Sequence, residues 1–209
     1  CTSFTQGVSK VPPYFVAGAI LSGCAMVYSL VLPLRHMFRL EEIIKAEHLE
    51  ALIKLTLLTS TIVAYAYGIE FLIAWYSGNE FEWAIFQKRA AGPYAFYFWT
   101  MVFCNCIFPL AFWSKKVRLN QTACFIICLL INVGMWFERY NIIVSSLVED
   151  FIPGNWGHYE PRLIEILLTV GSFGWFFTWL LIFCRFFPLV SMSEVKLIMP
   201  KPLSEEAKG

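Results

Sequence analysis

Charge is what this sequence has least of. Acidic and basic residues fill only 15% of its 209 positions, where soluble domains average about 25%. The lysines and arginines fall in short clusters between apolar runs. With no basic face or stripe, a nucleic-acid partner is not expected. Histidine is rarer still. His36, His48 and His158 all lie between the apolar runs, which argues against a haem held by two histidines between helices. Seven cysteines are present, yet none forms a Cys-x-x-Cys pair. Cys104 and Cys106 would point to different sides of a helix, and Cys124 and Cys128 lack a second pair to complete four ligands. Cys24, Cys184 and the other cysteines inside apolar segments read as small hydrophobes. No metal site is expected, and the chain should carry no redox centre of its own. The first residue is Cys1 rather than Met, which reads as a partial chain, or as a processed one with a lipidated terminus.

What remains is apolar. Hydrophobic residues make up 58% of the chain, aromatic residues 18%, and the mean hydropathy is +0.63. Five runs are long enough to cross a hydrocarbon core of about 30 Å, which takes roughly 20 helical residues. They are Tyr14–Leu34, Leu49–Tyr76, Tyr94–Trp113, Thr122–Leu147 and Leu163–Phe187. Backbone groups in lipid must bond within their own segment, so such runs predict helices. The expected fold is an all-α polytopic bundle. Residues 1–13 would form an outer segment, 14–187 the five-helix bundle and 188–209 a tail. No internal repeat is visible.

The loops predict an orientation. Arg35, Arg39, Lys45, Lys115, Lys116, Arg118, Arg185, Lys196, Lys201 and Lys208 lie on one side, against Lys10, Lys88, Arg89 and Arg162 on the other. Ten against four places the N-terminus outside and the C-terminus in the cytoplasm. The outer loop Val148–Pro161 is acidic and rich in turn formers. The inner stretch Arg35–Leu55 mixes charge with apolar residues at helical spacing, as in a segment lying on the membrane surface.

Ionisable groups within the runs carry the functional signal, because burying them in lipid is costly. Thr56, Ser60, Tyr67 and Glu70 form one stripe of the second run. Glu70 lies about six residues, roughly 9 Å, from its outer end. Glu138 and Arg139 fall in the outer half of the fourth run, and Glu165 in the first turn of the fifth. Asn105 and Asn132 sit nearer the midplane. As sequence neighbours, Glu138 and Arg139 project about 100° apart and do not pair with each other. The arrangement expected is Arg139 bonded to Glu70 or Glu165, leaving one carboxyl free to exchange protons. The inner halves hold few titratable groups, chiefly Lys54, which argues against a complete ion channel in this chain alone.

Several stretches resemble the NrfD-like membrane subunits, a family that includes the polysulfide reductase anchor. They are "PPYFVAGAILSG" (Pro12–Gly23), "HLEALIKLTLLTSTIVAYAYGIEFLIAWYSGN" (His48–Asn79) and "INVGMWFERYNIIVSSL" (Ile131–Leu147), continued by "DFIPGNWGHYEP" and Gly171–Lys196. Within the family the likeness is to the ActC type of bacterial alternative complex III, with the ActF type as competitor. The resemblance implies about ten spans in two bundles, of which these would be the second five, in a bacterial cytoplasmic membrane. It further implies quinol or menaquinol as the substrate of the whole complex. An iron–sulfur subunit would lie on the outer face, with other integral and haem-bearing subunits beside it. Residues binding quinol are not assigned. Tyr67, Glu70, Asn105, Asn132, Glu138, Arg139 and Glu165 would form a buried polar cluster or proton route. The competing reading is a structural anchor whose buried charges only hold helices together.

Overall fold

The computed structural model describes residues 2–38, 44–78, 83, 87, 90–92, 95–148 and 162–187; the side chains of 2–14 and 145–148 are not among them. All five expected spans are helices: α1 (Thr2–Met37), α2 (Ala46–Tyr76), α3 (Ala95–Trp113), α5 (Gln121–Val148) and α6 (Leu163–Phe186). A short α4 (Lys115–Leu119) precedes α5. The five long helices have the length and composition to cross a membrane, and among the described residues there is no strand.

Two boundaries differ from expectation. Helix α1 begins at Thr2, and its apolar part starts at Phe15. In the stretch Arg35–Leu55, α1 runs to Met37 and α2 begins at Ala46, three residues before the expected Leu49. Helical spacing in Ala46–Leu55 simply continues the stripe of the spanning helix, so nothing local breaks it. The loop 149–161 and the tail 188–209 lie outside the described residues.

The chain divides into two compact units, Cys1–Gly157 and His158–Gly209. In the first, α5 packs on α1 and α3, while α2 packs on α1 and the middle of α3. Leu21, Ala25, Tyr28 and Leu32 recur at helical spacing on α1 and meet Ile53 and Val63 of α2. Cys124, Cys128, Ile131 and Met135 of α5 close the same core. The two cysteines are fully buried, and Cys124 Sγ also donates to the Val117 carbonyl at 3.3 Å, tying α4 to α5. Val16, Ile20, Val27, Leu58, Ile62, Ile126 and Leu129 face outward. In lipid this exposure costs nothing, because acyl chains are as apolar as leucine. The second unit contributes α6, whose described side chains are almost all apolar and exposed, with Cys184 buried.

Helix α3 is irregular for a local reason. It runs as α-helix over Ala95–Val102, as π-helix over Phe103–Ile107, and ends in a 3₁₀ turn, Ala111–Trp113. Pro109 has no N–H to give the carbonyl four residues back, that of Asn105, and its ring crowds that carbonyl. The chain widens into a π turn just before it, with the Phe108 N–H reaching Phe103 O. This widened turn presses against α5 at Gly134. A Cβ there would meet Cys104 Cβ at 2.5 Å and also overlap the Asn105 side chain. Gly134→Ala should therefore destabilise the protein by about 1–3 kcal/mol, the usual cost of overpacking. The control is Gly23→Ala, where a Cβ meets nothing within 4 Å and stability should hold or rise slightly. Unfolding midpoints of the detergent-solubilised variants check both.

Candidate functional site

The widened turn of α3 sets up a contact with a buried carboxyl. Glu138 follows Gly134 by one turn on α5, so it shares the face pressed against α3. It is 2% exposed. Tyr67 of α2 donates its phenol to Glu138 Oε2 at 2.6 Å, and Asn105 Nδ2 of α3 donates to the same oxygen at 3.1 Å. The Asn105 amide also lies 3.3 Å from Met135 Sδ and 3.5 Å from Tyr67 Oη. Beneath it, Ser60 Oγ donates to the Asn105 backbone carbonyl at 2.7 Å. Three helices thus converge on one carboxyl oxygen, and the groups that hold it are themselves buried or half-buried.

Chemically, this is a carboxyl in hydrogen-bond contact with a phenol inside an apolar bundle. A tyrosine hydroxyl both donates and accepts, and a carboxyl changes from acceptor to donor on protonation. The pair can therefore pass a proton without either partner leaving its position. Donors aimed at the acid also offset part of the cost of keeping it out of water.

The remaining sequence candidates have contacts of their own. Glu70, one turn beyond Tyr67, is exposed. Within the first unit Arg139 is not bonded to Glu70 as expected; its guanidinium sits 5.1 Å over the Phe15 ring of α1. The reason is helical phase. With Glu138 turned inward, the next residue is rotated by about 100° and is exposed on the α1 side. Ion pairs on α2 occur toward its other end, where Glu50 meets Lys54 at 3.1 Å and Arg118 at 3.8 Å. Glu165 belongs to the second unit and accepts the Arg162 N–H at 3.0 Å, capping α6. Asn132 donates to Ser29 Oγ at 3.3 Å, and Ser29 donates to Ala25 O, forming a separate α1–α5 contact. Asn132 is six residues, about 9 Å, from Glu138 along α5.

So the fold gathers Tyr67, Asn105 and Glu138, while Arg139 turns to Phe15 and Asn132 to Ser29. The sequence placed Ser60 on the polar stripe of the second run but gave it no role, and it did not single out Pro109, Met135 or Gly134. One signal was available: a proline inside an apolar run, four residues after a buried asparagine. Another apolar feature adds little. An open groove of about 470 Å³ along α3 is lined by Phe96, Trp99, Thr100 and Phe103 among others. Its one hydroxyl, on Thr100, donates to its own helix at Phe96 O. That leaves no polar group there to orient a polar ligand. Among the described residues no three His, Cys, Asp or Glu side chains gather as a metal site.

The Tyr67–Glu138 bond should be measurable by a double-variant cycle. Tyr67→Phe and Glu138→Leu should couple by about 0.6–1.7 kcal/mol, the range for hydrogen bonds between membrane helices. Tyr67→Phe combined with Arg139→Leu should instead be additive. A Tyr67–Glu138 coupling near zero in detergent unfolding would contradict the geometry.

Comparison with curated proteins finds no match. The model of the family "Polysulphide reductase, NrfD" does match, over residues 8–149. That range runs from Val8 of α1 past the end of α5 and takes in every residue around Glu138, and it exceeds half of the 209 residues. The chain belongs to the NrfD polysulphide reductase family, multi-pass membrane subunits of quinone-linked redox complexes.

Proposed function

We propose that this chain is a subunit of a respiratory quinol-oxidising complex of the alternative complex III type, nearer to its ActC than to its ActF component. In this reading it lies in a bacterial cytoplasmic membrane with the N-terminus outside, as the basic loops favour. Quinol or menaquinol is oxidised toward the outer side. The electrons pass to an iron–sulfur subunit on the outer face and onward to haem-bearing partners. The chain described here takes no electrons. Its part is to support the site and to conduct protons.

The observation that carries this reading is the buried Glu138 carboxyl with Tyr67 and Asn105 on one of its oxygens. Quinol oxidation releases protons, and a membrane-buried acid joined to a phenol is a group able to receive and pass them. The same contact also favours a second reading, a structural anchor, because one oxygen ties α2, α3 and α5 together. The two readings separate when binding strength is kept and titration is removed.

Glu138→Gln retains an acceptor for both donors but cannot take a proton. In the purified complex it should slow quinol oxidation and the accompanying proton release by roughly 10²-fold, the usual loss for a general acid or base. The complex should still assemble. Arg139→Leu, which removes a cation from the Phe15 ring, should change turnover far less. Unchanged turnover in an assembled Glu138→Gln complex would leave the anchor reading standing and remove the proton-carrying one.

A further inference from the structure

Ser60 and Pro109 bear on one backbone carbonyl, that of Asn105. Pro109 deprives Asn105 O of the N–H that an α-helix would supply from position i+4. Ser60 Oγ, from a different helix, donates to that carbonyl at 2.7 Å and is itself 1% exposed. A buried carbonyl left without a donor is costly in lipid. The serine therefore replaces, across the α2–α3 contact, the hydrogen bond that the proline removed.

This replacement fixes the turn in which Asn105 sits. A π turn holds one residue more than an α turn, which swings the residues within it by a large fraction of 100° relative to a regular helix. The Asn105 amide is not anchored from its other side. Its Oδ1 is buried without a hydrogen-bond partner, against the backbone of Gly134. What points Nδ2 at Glu138 Oε2 is the backbone of the turn, and what holds the backbone on the α2 side is Ser60. We infer that Ser60 is a positioning residue for Glu138: it locks the proline-generated π turn of α3 so that the Asn105 amide stays on the carboxyl oxygen. The inference rests on the reading of Glu138 as the proton-carrying group, but its test does not need turnover.

The test is infrared difference spectroscopy on the purified complex at acidic pH. The band of the protonated Glu138 carboxyl is assigned by its loss in Glu138→Gln. Ser60→Ala should move this band toward the higher frequency of a carboxyl with fewer hydrogen bonds. Ser60→Thr, which keeps the hydroxyl, should leave it at the wild-type position. Pro109→Ala restores a peptide N–H facing Asn105 O, so adding Ser60→Ala to that background should produce no further shift. A band unmoved by Ser60→Ala overturns the inference, as does a Ser60→Ala shift of equal size with and without Pro109. If Ser60→Ala does not assemble, Ser60→Cys provides a weaker donor at the same place, and its band should shift by a smaller amount; no shift there also overturns the inference. A band shifted in Ser60→Ala together with unchanged quinol turnover in Glu138→Gln keeps Ser60 as a positioning residue and removes the proton-carrying role of Glu138.

Discussion

An acid buried among apolar helices has to be satisfied by groups that the helices themselves bring, because neither lipid nor core side chains can solvate it. Glu138 imposes that condition on the first unit of this protein. Meeting it requires a phenol from α2 and an amide from α3 at one oxygen. Placing the amide requires a widened turn, and fitting the widened turn against α5 requires glycine at position 134. Each requirement passes to a different helix. The packing order of α2, α3 and α5 and the local irregularity of α3 are thus consequences of one carboxyl group as much as of the apolar core around it.

The other polar groups obey a looser rule. Asn132 and Ser29 join α1 to α5, Glu50 with Lys54 and Arg118 lies toward the start of α2, and Glu165 caps its own helix. All of these are contacts that hold or end helices. None combines deep burial, a titratable group and two converging donors as Glu138 does, which is why that residue carries the proposed chemistry. Membership of the NrfD family places these contacts in a membrane subunit of quinone-linked redox complexes.

Much of this protein was legible in its residues. Five helices followed from run length and hydropathy, since in lipid each helix satisfies its own backbone and needs no distant partner to form. Tyr67, Asn105 and Glu138 stood out for the same local reason, as polar groups where polarity is expensive. The divergence of Glu138 and Arg139 follows from a rotation of 100° per residue. Pairing was not legible. In place of the expected bond from Arg139 to Glu70 there is a contact with Phe15, because partner choice depends on how each helix is turned about its axis and which neighbour it faces.

Ser60 and Pro109 mark where local reasoning ended. A proline in an apolar run announces a distortion, but whether it kinks, widens or ends the helix depends on what lies opposite. Here Ser60 of α2 lies opposite and accepts the task of bonding the freed carbonyl. The chain alone determined that there would be spanning helices and which buried groups would be costly, since both are properties of single segments. Only the packed bundle decided which groups meet around Glu138. A hydrogen bond between helices depends on a few tenths of an ångström and on the phase of three helices at once, and no one segment carries that information.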